Sequence, residues 1–325
     1  MPTREGQERK MPSFAIRMDG LTRDFDGLRA VDQVSLEVPK GHIFGFLGPN
    51  AAGKTTTIRL LLGLLEPSAG RAEVLGFDTR MEADAIRQRS GALLEHTGLY
   101  ERLTAEDNLE FHGRIYRMPA AERKSRIQDL LTGIELWDRR REPVGKWSRG
   151  MKQKLAVARA LLPRPELIFL DEPTAGLDPI AAAALREDLV SLASKDGVTL
   201  FLTTHNLSEA EKICTLVGVI RRGVLLAVGS PAELRSRRKG QQVEIVGRGA
   251  SESLLAELRS LPGVRAVDDQ DGRLRIDLET GAEIAPLVSR VVAAGMQVEE
   301  VHRGAESLEE AFLAMVREAG EEGQA

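Results

Sequence analysis

The sequence predicts an α/β chain of two domains: a larger one built on a mixed sheet with a parallel core, and a smaller α+β one behind it. Two observations carry that expectation. Apolar segments of strand length alternate with segments of helical periodicity from about residue 14 to about residue 213. That is the pattern of a parallel sheet whose crossovers are helices. After residue 240 the texture changes to the order βαββαβ plus a last helix, as in small ferredoxin-like domains. At 325 residues the chain is long enough for two cores.

Taken in order, residues 14–23 and 31–38 alternate and read as strands. Pro39-Lys40-Gly41 turns the chain into the apolar run 43–47, a buried strand. Then comes Gly48-Pro49-Asn50-Ala51-Ala52-Gly53-Lys54-Thr55-Thr56, with the spacing G-x-x-x-x-G-K-T. A helix over 54–65 follows and must end before Pro67. Strand, glycine-rich loop and helix together make a phosphate-binding loop. Small residues let backbone N–H groups curl around the phosphates, and the helix N-terminus faces the charge. In such a loop Lys54 is expected to reach the β- and γ-phosphates of a nucleoside triphosphate, and the Thr55 hydroxyl to sit on Mg²⁺.

The spacing then predicts a short strand at 74–75, a helix over 81–89 and a strand over 91–94. Thr104-Ala105-Glu106-Asp107 opens a helix to about residue 117, and 122–134 is another. A helix over 148–162 is closed by Pro163. Strand 166–170, helix 179–193, strand 199–203 and helix 207–213 complete the alternation, and 216–220 and 224–226 form a hairpin around Arg221-Arg222. One strand delivers Leu167-Ile168-Phe169-Leu170-Asp171-Glu172. Its two carboxylates fall at the strand's C-terminal end, where open α/β sheets bind ligands. Asp171 is placed to hold Mg²⁺ directly or through water, and Glu172 to act as general base toward an attacking water.

Trp147-Ser148-Arg149-Gly150-Met151-Lys152-Gln153, upstream of that strand, resembles the signature motif of ABC (ATP-binding cassette) ATPases, in the form common in bacterial exporters. Pro173-Thr174-Ala175-Gly176-Leu177-Asp178 is similar to their D-loop, and Thr203-Thr204-His205 to their switch histidine. With the phosphate loop and the carboxylate strand, these motifs stand in family order within residues 14–235. The resemblance implies a P-loop NTPase cassette with a helical subdomain, ATP and Mg²⁺ as cofactors, and a head-to-tail dimer sandwiching two ATPs. It implies catalytic roles for Glu172, His205 and Lys54, and nucleotide contacts from Ser148, Gly150 and Asp178. Ser148 as an N-cap gives its helix an anion site of its own, which should serve the γ-phosphate on a second copy of the chain. Phe25 stands where the family stacks an aromatic ring on adenine.

Two residues depart from the family pattern. Ala51 replaces a usual glycine and is strained if that position needs a positive φ. Glu95, in Gly91-Ala92-Leu93-Leu94-Glu95-His96, falls at the Q-loop glutamine, the link between Mg²⁺ and the membrane-domain contact, and is a candidate metal ligand.

Composition bounds the rest. The net charge of −4 gives no global basic footprint, so no nucleic-acid partner is expected. One cysteine, Cys214, excludes an intrachain disulfide and suits a reducing compartment. No run approaches the ~18 or more apolar residues of a membrane span. The resemblance implies a separate integral-membrane subunit as partner, with this chain at the cytoplasmic face of the membrane. The expected function is the ATP-hydrolysing subunit of an ABC transporter, most simply an exporter; the alternative is a soluble ABC ATPase acting on ribosomes or DNA.

The expected layout is a disordered tail over 1–12, a nucleotide-binding domain over 13–236, a basic linker over 236–240, a small domain over 241–318 and an acidic tail over 319–325. The small domain should run as strand 242–246, helix 251–261, a hairpin of 264–267 with 274–278 around Asp271-Gly272, helix 284–294 and strand 297–301. A capping box at Ser307-Leu308-Glu309-Glu310 opens the last helix, to about residue 317. The stretch 307–312 resembles the C-terminal extension of daunorubicin-resistance exporter ATPases. The small domain carries no motif chemistry, so a packing or dimer-stabilising role is preferred to a ligand sensor.

Overall fold

A computed structural model describes residues 13–236, 241–270, 272–279, 282–304 and 308–321. The chain divides into two compact units, Met1–Pro231 and Ala232–Ala325. The first begins with β1 (Phe14–Phe25), β2 (Leu28–Pro39), β3 (Ile43–Leu47), α1 (Lys54–Leu61), β4 (Ala69–Val74), β5 (Phe77–Asp78), α2 (Ala83–Arg89) and β6 (Ser90–Leu93). It continues through α3 (Ala105–Ile115), α4 (Ala120–Gly133), α5 (Arg149–Leu161), β7 (Leu167–Asp171), α6 (Pro179–Asp196), β8 (Thr199–Thr204), α7 (Leu207–Ile213), β9 (Leu216–Arg221) and β10 (Val224–Gly229). Helix α8 (Pro231–Ser236) starts at the boundary.

One sheet has the antiparallel order β2-β1-β4-β5. The other has the order β10-β9-β3-β8-β7-β6, parallel except for its edge strand β10. Strands β3, β7 and β8 are buried along their whole length, so they read as continuous apolar runs rather than alternating ones. Phe201 of β8 packs its ring at 5.1 Å from Phe44, 5.6 Å from Phe46 and 5.6 Å from Phe169. That cluster fixes the three strands whose ends carry the phosphate loop, Asp171 and His205. Aromatic pairs of this kind contribute about 0.5–1.5 kcal/mol each beyond area burial. Helices α3, α4 and α5 pack on one another as a helical layer.

The second unit runs β11 (Gln241–Arg248), α9 (Glu252–Arg259), β12 (Val264–Gln270), β13 (Arg273–Leu278), α10 (Ile284–Ala293), β14 (Gln297–Gly304) and α11 (Leu308–Glu321). Its antiparallel sheet has the order β12-β13-β11-β14, the strand order of the ferredoxin-like split βαβ. Val243, Ile245, Leu274 and Ile276 form the core with Leu254 and Leu258 of α9 and Leu287 and Val291 of α10.

Several expected boundaries are corrected. Helix α1 stops at Leu61 rather than residue 65, because Gly63 takes φ +62 against Ala83 and Thr79. Helix α2 starts at Ala83 rather than 81, because the Asp78 carboxylate accepts from the N–H groups of Arg80 and Met81 and holds a turn there. Strands β1 and β2 are longer than expected and meet at Phe25↔Leu28 across Asp26-Gly27, a hairpin signal left unread. Helix α6 runs on to Asp196, before the left-handed C-cap Gly197. Ser236, expected in a linker, ends helix α8, which the Ser-Pro-Ala-Glu start at 230–233 announces. Helix α11 reaches Glu321, so 319–321 are helical and not tail. The expected tail 1–12, linker residues 237–240, Asp271, the capping-box Ser307 and residues 322–325 lie outside the described residues.

Candidate nucleotide site

The loop between β3 and α1 closes on itself by its own geometry. Gly53 has φ +106, and a Cβ there would sit 2.3 Å from the Ala30 carbonyl oxygen, so only glycine fits. Ala51 has φ +61. Alanine in that conformation carries roughly 1–2 kcal/mol of strain that glycine escapes, which is the strain expected of this substitution. The loop is braced by the β9–β10 hairpin, where the Gly223 N–H donates to the Ala52 carbonyl at 3.0 Å.

Lys54 is buried, at 6% exposure. Its Nζ donates to the carbonyls of Gly48 at 2.6 Å and Pro49 at 3.3 Å, and lies 3.1 Å from Glu172 Oε1. Thr55 Oγ1 donates to Asp171 Oδ2 at 2.7 Å. The other carboxylate oxygen, Oδ1, accepts from Thr203 Oγ1 at 2.5 Å. The same Thr203 oxygen accepts from the Glu172 N–H at 3.1 Å. Glu172 is held at φ +51, a left-handed conformation that costs of order 1–3 kcal/mol outside glycine and clusters at functional sites. His205 Nδ1 lies 2.6 Å from Glu172 Oε2. The Glu172 carboxylate thus bridges the loop lysine on one side and the histidine after β8 on the other.

These groups share a cavity of about 900 Å³, lined by Phe25, Leu28, Arg29, Ala30, residues 49–56, Leu94, Glu95, Arg149, Gln153, Asp171, Glu172, Ala175, His205 and Arg222. Of the expected residues, Gly48 is not part of this lining, and its carbonyl accepts from Lys54. Phe25 is half-buried, with the Arg23 guanidinium 4.5 Å above its ring. Glu95 is exposed on the rim. Ser148, Gly150 and Asp178 are outside the lining. Ser148 caps α5 by accepting from the Met151 N–H at 3.3 Å, and Asp178 caps α6 by accepting from Ile180 and Ala181. Sequence reasoning gave no role to Thr203, whose hydroxyl ties the Asp171 carboxylate to the Glu172 backbone N–H, and missed Leu28, Arg29 and Arg222 on the rim. The position of Thr203, two residues before His205 at the end of a buried strand, is the signal that could have found it.

The donor set fits Mg²⁺ with a nucleoside triphosphate. Thr55 and Asp171 supply hard oxygens side by side, and among the described residues no group of three His, Cys, Asp or Glu side chains could hold a metal. A metal held by one or two protein oxygens and completed by phosphate oxygens and water is the usual manner of Mg²⁺. The N-terminus of α1, with Lys54 beside it, supplies the matching anion site.

Residues 31–175 match the family model described as ABC transporter, and residues 229–316 the model described as ATP-binding protein DrrA1-3-like, C-terminal domain. The chain is 37% identical over 305 residues to the daunorubicin resistance ATP-binding protein DrrA3 of Streptomyces coeruleorubidus, covering 93% of this chain and 96% of that protein. It is 35% identical over 305 residues to the bacitracin transport ATP-binding protein BcrA of Bacillus licheniformis, covering 94% and 98%. Among solved structures, an ATP-binding subunit of an ABC transporter superposes with a TM-score of 0.62 at 31% identity, covering 68% of this chain and 92% of that one. A dimeric ATP-binding cassette, MJ0796, bound to ADP and Pi, gives 0.60 at 25% identity, covering 66% and 98%.

Proposed function

The chain belongs to the ABC transporter ATP-binding family, and we propose that it hydrolyses ATP as a dimer to drive export through a separate membrane subunit. The observation that carries this reading is the meeting of Lys54, Thr55, Asp171, Glu172 and His205 in one cavity. Lys54 binds the β- and γ-phosphates by exchanging hydrogen bonds it makes to the loop carbonyls. Thr55 and Asp171 would hold Mg²⁺, which would supply positive charge beside the triphosphate. Glu172 takes a proton from the attacking water, and His205 holds its carboxylate in line. Phe25 stacks on the adenine. Ser148 and Gly150 at the start of α5, with Asp178, serve the nucleotide of a second copy, consistent with their position outside this chain's own cavity lining.

Export of an antibiotic-like compound is proposed from the relatives named for daunorubicin resistance and bacitracin transport. Among the described residues no helix is long and apolar enough to cross a membrane, so the reading places the path in another subunit and this chain at the cytoplasmic face. Leu94 lines both the nucleotide cavity and a second, smaller cavity with His112 and Tyr116. Around the latter, Tyr100, Phe111, Ile115 and Tyr116 expose aromatic and apolar surface, which we assign to the membrane subunit. The nucleotide-binding domain is taken to end at Pro231, with the first compact unit, and the appended domain to reach Glu321, the end of α11, as a packing or dimer-stabilising element.

Affinity purification of the full chain from its own cells, after mild detergent extraction, is expected to recover an integral membrane protein in matching amount. Recovery with ribosomes or DNA and no membrane protein contradicts the reading. Glu95 offers a further test of the rim. A carboxylate there adds negative charge beside the metal position and should strengthen Mg²⁺ binding. Glu95→Gln is expected to stay active and to need more Mg²⁺ for half-maximal ATPase rate. Superimposable Mg²⁺ titrations remove Glu95 from the metal site.

A further inference from the structure

We propose that Glu209 is a positioning residue that locks the loop after Glu172 to the segment carrying His205. Glu209 sits in the first turn of α7 and is 2% exposed. Its Oε2 accepts the Thr174 hydroxyl at 2.7 Å, and Thr204 Oγ1 reaches the same oxygen at 3.5 Å. Thr204 Oγ1 in turn accepts from the Asn206 N–H at 2.9 Å, and Asn206 Oδ1 accepts from the Glu209 N–H at 3.1 Å. One carboxylate therefore spans the two segments that flank the active groups: Thr174 is two residues past Glu172, and Thr204 is the neighbour of His205.

The loop is held from its other side as well. Gln153 of α5 donates from Nε2 to the Pro173 carbonyl at 2.6 Å, so the helix capped by Ser148 and the His205 segment both grip residues 173–174. A buried carboxylate is an expensive way to fill space. Among the described residues Glu209 Oε1 has no hydrogen-bond partner, and Arg186 Nη1 lies 3.8 Å from it. Apolar packing would serve bare stability as well or better, whereas a carboxylate can bond both hydroxyls and fix their relative place. The inference rests on the roles proposed above for Glu172 and His205.

The test compares kcat and KM for ATP, with thermal unfolding, in Thr174→Val, Thr174→Ser, Glu209→Gln, Glu209→Ala and the double variant Thr174→Val/Glu209→Ala. Thr174→Val keeps the side-chain shape and removes only the hydroxyl. It is expected to lower kcat, by up to about 10²-fold as small misplacements of reacting groups can, with KM little changed. Thr174→Ser keeps wild-type kcat, and Glu209→Gln, which still accepts from Thr174, recovers most of it. The double variant should be no slower than Glu209→Ala alone, since both changes break one link. A normal kcat in Thr174→Val, or additive losses in the double variant, overturns the proposal. Glu172→Gln run in parallel separates the two readings. If it still hydrolyses ATP, the proposed site is wrong; if it is dead while Thr174→Val is normal, only the role of Glu209 fails.

Discussion

Glu172→Gln is expected to lose turnover by about 10²–10⁴-fold, the usual contribution of a general base, while keeping its affinity for ATP. The expectation follows from the geometry on both sides of the side chain. The phosphate loop, Thr55 and Asp171 are untouched by the change, so binding should survive. The amide can keep its oxygen toward Lys54, 3.1 Å from the Glu172 carboxylate, and turn its NH2 as a donor toward His205 Nδ1, 2.6 Å from it. Position and packing are therefore kept and only basicity is lost. Because bound ATP then persists, the variant should collect as an ATP-held dimer. Single-turnover rates with equilibrium nucleotide binding check both halves. Near-normal hydrolysis would sink the assignment of Glu172, and lost binding would mean that its pairing with Lys54 holds the loop together.

The chemistry was legible in the sequence where it depends on short spacing. The loop 48–56 specifies its own turn through Gly53, and its place between an apolar strand and a helix. Asp171-Glu172 follows a run apolar enough to be a buried strand, and the N-caps Ser148 and Thr104 stand one residue before their helices. Ala51 was readable because its type conflicts with the conformation the loop demands, and the positive φ bears this out. What was not legible depends on contacts distant in sequence. Thr203 meets Asp171 only because β7 and β8 pair in parallel with Asp171 opposite Thr203. Glu209 reads as an ordinary charge in the first turn of a short helix until folding buries it under Thr174. The start of α2 was missed because the Asp78 side chain competes for the backbone N–H groups that a helix would use.

The central claim is that each working site takes its phosphate loop from one copy and its signature helix from another. It predicts that Lys54→Ala and Ser148→Arg are each inactive alone, for different reasons. Lys54→Ala removes the buried cation of the phosphate loop. Ser148→Arg replaces an exposed cap, a loss of about 0.5–2 kcal/mol that leaves the fold intact, and puts a long side chain where the second nucleotide should lie. A mixed dimer of the two contains one site with Lys54 and Ser148 both wild type and one with both altered. The most direct measurement is therefore ATPase activity of the two purified variants, each alone and then mixed, with the oligomeric state followed by analytical ultracentrifugation. The account predicts no turnover from either alone and a partial return on mixing, limited to one working site per mixed dimer. Normal hydrolysis by either variant as a strict monomer, or mixtures that stay dead although mixed dimers form, would contradict it.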